Sequence, residues 1–141
     1  MNQVPIKFDV KNTMPGKSLG LRVWLDQQVV IEKQIGDPCT VQVDIVDEEA
    51  KHVMEIELFG KTNQHTTIDT DGNILTDSSL EITNFNVDDI ELDTHILGEY
   101  THDFNGNGQS TTEKFFGIMG CNGRVRVEFS TPVYLWLLEK M

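Results

Sequence analysis

At 141 residues, with 38% hydrophobic and 24% charged side chains, the chain has the size of one ordinary domain and is too apolar to be wholly disordered. Its 11 Lys+Arg stand against 23 Asp+Glu, a formal net charge of -12. That excess excludes a binder of the phosphate backbone, whose affinity depends on Lys and Arg releasing counterions. The longest apolar run, Val133 to Leu138, is far too short to cross a bilayer, so neither nucleic acid nor membrane is an expected partner.

Taken in chain order, the dominant period is two. No basic segment followed by an apolar core stands at Met1 to Pro5, so no secretory signal is expected. Ile6, Phe8 and Val10 alternate with Lys7 and Asp9; Leu19, Leu21, Val23 and Leu25 alternate with Gly20, Arg22 and Trp24. Val41, Val43 and Ile45 alternate with Gln42 and Asp44, and Met54, Ile56 and Leu58 with Glu55 and Glu57. Between those two runs, Asp47 to Lys51 is the one helix-like stretch, barely a turn long. Asp71-Gly72 sits between Thr67 to Asp69 and Asn73 to Leu75, a strong hairpin signal. Val125, Val127 and Phe129 alternate with Arg124, Arg126 and Glu128. Val133 to Leu138 is apolar on both phases and predicts a final strand inside the fold, with Tyr134 and Trp136 on one face and Leu135 and Leu137 on the other.

Each alternating run is a strand with one buried and one polar face. Pro15-Gly16, Asp26-Gln27, Gly36-Asp37-Pro38, Asn105-Gly106, Asn107-Gly108 and Asn122-Gly123 supply tight turns between such runs. Many short strands at regular spacing predict an all-β, antiparallel, jelly-roll-like sandwich, a single domain over 1–141. A core of this size buries roughly 70% of the unfolded surface and needs no covalent staple. Cys39 and Cys121, in no CxxC context, are therefore expected as two free, buried thiols.

Few residues point to chemistry. Asp103-Phe104-Asn105-Gly106-Asn107-Gly108 has the opening oxygen spacing of a calcium loop, but the twelfth position is Lys114 and the flanks read as strands, so a plain hairpin tip is expected. Asn105 and Asn107 at that tip are candidate contacts for a glycan or partner. Asp69, Asp71 and Asn73 crowd a tight turn and, with Asp88 and Asp89 from another loop, are the candidate calcium ligands. None of His52, His65, His95 and His102 has the spacing of a zinc site on a helix. There is no GxSxG elbow and no phosphate-cradling glycine loop before a helix, and Glu55 and Glu57 read as a solvated face; no enzyme is expected. Trp24 falls on the phase opposite Leu21, Val23 and Leu25. It faces away from the main apolar side, where it either stacks on a sugar or lies beneath a loop or second sheet, the covered position being the expected one.

Two resemblances add to this reading. The stretches His52 to Leu58 and Leu80 to Leu92, with Leu21 to Val30, resemble the small calcium-dependent xylan-binding carbohydrate-binding modules. The resemblance implies a jelly-roll sandwich whose loop calcium bridges protein and sugar hydroxyls. An Asp-Arg-Asn-Leu stretch of those modules is replaced here around Ser78 to Glu81. The strings His65 to Ile74, Tyr100 to Gly106, Phe116 to Gly123 and Thr131 to Glu139 are similar to small proteins of marine cyanobacterial tailed phages. That similarity implies a viral origin and a place on the virion, assembled in the host cytoplasm.

The expected function is thus a non-enzymatic structural protein of a phage particle, head-decorating or tail-associated, oligomeric among other virion proteins and built on a carbohydrate-binding-like sandwich. The alternative is a glycan-binding module for a host surface polysaccharide, with calcium as the one candidate cofactor and none required by the sequence. An acidic adaptor acting inside the host is a third reading.

Overall fold

The computed structural model describes residues 3–14, 16–46, 50–62, 66–92, 98–103, 110–131 and 133–140. Asn105, Asn107, His65, His95 and residues 47–49 of the helix-like stretch lie outside them. Along the chain run β1 (Gln3–Asn12), β2 (Leu19–Leu25), β3 (Gln28–Ile35), β4 (Cys39–Val46), β5 (Ala50–Phe59), β6 (Thr66–Ile68) and β7 (Ile74–Asp77). There follow β8 (Leu80–Val87), β9 (Ile90–Glu91), β10 (Glu99–Asp103), β11 (Ser110–Lys114), β12 (Ile118–Met119), β13 (Gly123–Thr131) and α1 (Val133–Lys140). Ala50 and Lys51, expected to close a helical turn, instead open β5.

The strands form an all-β sandwich of two antiparallel sheets, with β6 and β7 as a separate two-stranded hairpin. The smaller has the order β12-β8-β1-β4 with β9 beside β8; the larger has the order β11-β10-β13-β5-β2-β3. Every predicted alternation is a strand, and its apolar phase points inward. Phe8, Leu19, Leu21, Val23, Met54, Ile56, Leu58 and Leu80 are fully buried in one core between the sheets. Burying such a side chain stabilises by roughly 1.5–3 kcal/mol. Neighbouring strands cannot slip by one residue without turning that whole set outward, so this core holds the register.

Tight turns set the hairpins. Asp26 and Gln27 both have positive φ, 49° and 68°, as do Asp88 and Asp89, 51° and 64°. Two consecutive residues at positive φ match the right-handed twist of the strands they join, β2 to β3 and β8 to β9. Asp tolerates that region because its short side chain bonds locally. The Asp26 carboxylate also ties this turn to β5: it accepts the Val53 N–H at 2.9 Å and faces His52 Nδ1 at 2.7 Å. Burial opposes its ionisation, but the His52 and Val53 bonds outweigh that and leave its pKa lowered. Asn12, fully buried, donates to the carbonyls of Lys17 and Ile35 and accepts from Met14 N–H and Ser78 Oγ.

Two expectations are corrected. Val133–Lys140 is an α-helix, not a strand buried on both faces. A short apolar run fits either element. Pro132 has no N–H with which to continue the ladder, and the Leu-rich stretch after it has good helix propensity. Among the described side chains of the helix, Trp136, 5% exposed, reaches the core, edge-on to Phe129 at 6.0 Å, while Tyr134, Leu135 and Leu138 are exposed. No disulfide joins Cys39 and Cys121, and both are half-buried rather than buried as expected.

Candidate functional site

The outer face of the larger sheet carries the densest arrangement of functional side chains. The inward phase of β2, β5 and β13 is apolar, so alternation sends Gly20, Arg22 and Trp24, then Glu55, Glu57 and Phe59, then Arg124, Arg126 and Glu128 to the other side. Strand register lines them into rows. Arg22 lies opposite Glu57, and Glu57 opposite Arg124; Trp24 lies opposite Glu55, and Glu55 opposite Arg126; Phe59 lies opposite Gly20. The chain has three arginines, and all three stand on this face.

Glu57 is the hub. Its Oε1 accepts from Trp24 Nε1 at 2.9 Å and from Arg22 Nη1 at 3.4 Å, and its Oε2 lies 3.7 Å from Arg124 Nε. Arg22 is shared with Glu32 at 2.6 Å and Arg124 with Glu55 at 3.7 Å, while Arg126 pairs with Glu128 at 2.9 Å. Glu57 and Glu55 are only 15% and 18% exposed, which corrects the expectation of a freely solvated acidic face. Two guanidinium–ring pairs complete the layer: Arg124 lies 4.2 Å above the Trp24 ring and Arg22 3.9 Å above Phe59. Gly20 is needed beneath Phe59, because a Cβ there would sit 2.6 Å from the ring carbons. A groove of about 680 Å³ opens beside the hub between β5, β10 and β13, lined by Glu55, Glu57, Phe59, Thr101, Asn122 and Arg124.

Trp24 therefore does face away from the main apolar side, as its phase predicts, and it is half-buried. Its cover is Arg124 of its own sheet, which differs from the expected position beneath a loop or second sheet. Arg22, Glu57, Phe59 and Arg124 were not among the predicted site residues. Their outward phase is readable in each strand, but the adjacency that joins them is not.

The four candidate calcium ligands fall in two separate turns. Asp69 closes the β6–β7 hairpin by accepting the N–H groups of Asp71 and Asn73 at 2.9 Å each, with a further donor in the Asn73 amide. The Asn73 N–H, with those of Asp71 and Gly72, holds its carboxyl below the usual range. Asp71 precedes Gly72 at the hairpin tip, where φ is 86°. Asp88 accepts from the Tyr134 hydroxyl of α1, and Asp89 lies 3.6 Å from Lys7 Nζ. Among the described residues, no three Asp, Glu, His or Cys side chains gather closely enough to hold a metal ion. His102 lies against Tyr100 and 3.3 Å from Glu113, and His52 is held by Asp26. With Asp69 engaged by the hairpin itself, the melting midpoint is expected to be the same in millimolar calcium as in chelator. Calcium bound only to the folded state would raise it by mass action, so a calcium-dependent rise would return these acids to a metal site.

No family model matches the chain, and no curated protein matches it. Among solved structures the chain is similar to one described as vCBM60 in complex with galactobiose, at 9% sequence identity and a TM-score of 0.49, covering 89% of this chain and 96% of that one.

Proposed function

We propose that this sandwich is a glycan-binding module and that the outer face of its larger sheet holds the sugar chain. The observation that carries this reading is the gathering of Trp24, Phe59, Arg22 and Arg124 around Glu57 beside an open groove. Aromatic rings offer apolar area to the C–H faces of sugars, while carboxylate, guanidinium and amide groups fix hydroxyls in pairs. Arg124 is 39% exposed and lies within reach of Glu55, so its guanidinium has somewhere to go when a sugar takes its place over Trp24. The resemblance of 21–30, 52–58 and 80–92 to xylan-binding modules agrees with the reading. A net charge of -12 favours neutral polysaccharides over polyanions.

Affinity electrophoresis in gels containing xylan, galactan, β-glucan or alginate tests it. Retardation by one of the neutral polymers is expected, with Trp24→Ala migrating as in a gel without polysaccharide. No retardation in any gel, or full retardation of Trp24→Ala, overturns the sheet-face site. A second reading, a structural component of a phage particle, is supported by the phage-like strings and by the exposed Ile68, Ile74 and Leu75 on the β6–β7 hairpin, an apolar arm suited to assembly. Mass spectrometry of purified particles decides it, and absence from them removes it.

A further inference from the structure

We propose that the cleft over the middle of β8 is a second saccharide site, on the smaller sheet and apart from the sheet-face site; the choice of ligand rests on the glycan-binding reading given above. On one side β8 is laddered to β1. On the other it is paired only at its ends: Leu80 and Glu81 by β12, Asn86 and Val87 by β9. Ile82 N–H donates to the Gly117 carbonyl at 2.7 Å and Leu92 N–H to the Phe85 carbonyl at 2.8 Å, which closes both ends. What stays open, among the described residues, is the stretch of Thr83 and Asn84, roughly 7 Å of strand. That length is too short for a further strand and has the breadth of one sugar ring. Asn84 has φ 54° and marks the shifted register of β8 on β1, so the strand bends at the opening.

The cleft has a volume of about 600 Å³, within the range of small-ligand sites, and its two ends differ in chemistry. At the β12 end stand Phe116, 70% exposed, and Ile118, 56% exposed, with Glu81 across from Ile118. At the β9 end stands Glu91, and Thr83 and Asn84 lie between. The middle is set before any ligand arrives. The Asn84 amide donates to Asp9 at 2.7 Å, Asp9 also accepts from the Thr40 hydroxyl at 2.7 Å, and the Asn86 amide donates to the Asn84 carbonyl at 2.9 Å. Little ordering is then left to the binding step. Lys11 is the cross-strand partner of Glu81, and Lys114 Nζ lies 5.9 Å from the Phe116 ring centroid, so two cations stand beside the two carboxylates. A locally balanced site gives no preference to a charged ligand. An exposed ring facing carboxylate, hydroxyl and amide groups suits a neutral polyhydroxyl molecule, with its C–H face on Phe116 and Ile118 and its hydroxyls donated to Glu81 and Glu91. With one site on each sheet, a single sandwich can bridge two polysaccharide chains or bind one array of chains at two points.

The test is an NMR titration of the intact, isotope-labelled protein with the hexasaccharides of xylan, galactan and β-glucan in turn. With the sugar that binds, amide shifts are expected in two separate clusters, one at Thr83, Asn84, Gly117 and Ile118 and the other at Trp24, Glu57 and Arg124. Trp24→Ala should lose the second cluster and keep the first. Phe116→Ala, at an exposed position that leaves the core intact, should weaken binding at the cleft about tenfold while the sheet-face cluster titrates as before. Glu91→Gln keeps the shape of the cleft and should weaken it in the same direction. Shifts on the sheet face alone, at saturation, would overturn the second site and leave the glycan-binding reading standing. Shifts in the cleft alone would support the cleft and overturn the sheet-face site instead. No shifts with any of the three sugars would overturn both, and cleft affinity unchanged in Phe116→Ala and Glu91→Gln alike would overturn the assignment of the cleft.

Discussion

Trp136→Ala lowers the stability of the sandwich by about 3 kcal/mol, the usual cost of truncating a large buried aromatic side chain to alanine. The indole carries α1 into the core, edge-on to Phe129, which also stacks on the His52 ring at 5.3 Å. Removing it uncovers Phe129, and among the described side chains of the helix Tyr134, Leu135 and Leu138 are exposed. For a domain of this length the loss corresponds to a fall in melting midpoint of about 10 °C. Deletion of residues 133–141 should have a similar effect and still give a cooperative melt, because every other described core side chain lies outside α1. A truncated chain with no cooperative transition would show that the helix is required for folding.

Glu57→Ala is expected to abolish the proposed polysaccharide retardation and to destabilise the fold together. The substitution leaves the Trp24 indole N–H without its acceptor and deprives Arg22 and Arg124 of a half-buried carboxylate. Donors left unsatisfied in that layer cost about 1–3 kcal/mol. With the hub gone, Trp24 and the two guanidinium groups lose the geometry that shapes the groove, and retardation in the polysaccharide gel is abolished. Glu57→Gln keeps an acceptor for the indole but not the charge, so it should recover much of the stability and part of the retardation. Wild-type retardation of Glu57→Ala, in a protein that melts cooperatively, would remove the hub from the site. Because Trp24→Ala spares the Arg22–Glu57 pair, a comparison of the two variants separates the ring from the charge network.

The sequence alone settled the strands that alternate. Leu21, Val23, Met54, Ile56, Val125 and Val127 face inward because a period of two leaves one face to bury, and hydrophobic burial makes that choice energetically one-sided. Turn positions were legible for the same local reason: Asp26-Gln27 and Asp71-Gly72 supply the backbone conformations that tight hairpins demand. Local information failed where two elements share one pattern. The run Val133 to Leu138 satisfies a buried strand and a helix equally, and only the packing of Trp136 on Phe129 distinguished them. The pair Asp88-Asp89 reads as candidate ligands, and the positive φ angles that also make it the β8–β9 turn are not legible in the sequence. The outward phase of Arg22, Glu57 and Arg124 could be read strand by strand. That β2, β5 and β13 are neighbours, which turns those three residues and Trp24 into one site, was decided by the tertiary structure alone. The order of strands in an antiparallel sheet is set by which distant faces bury best against each other, a sum over the whole core that no single segment contains.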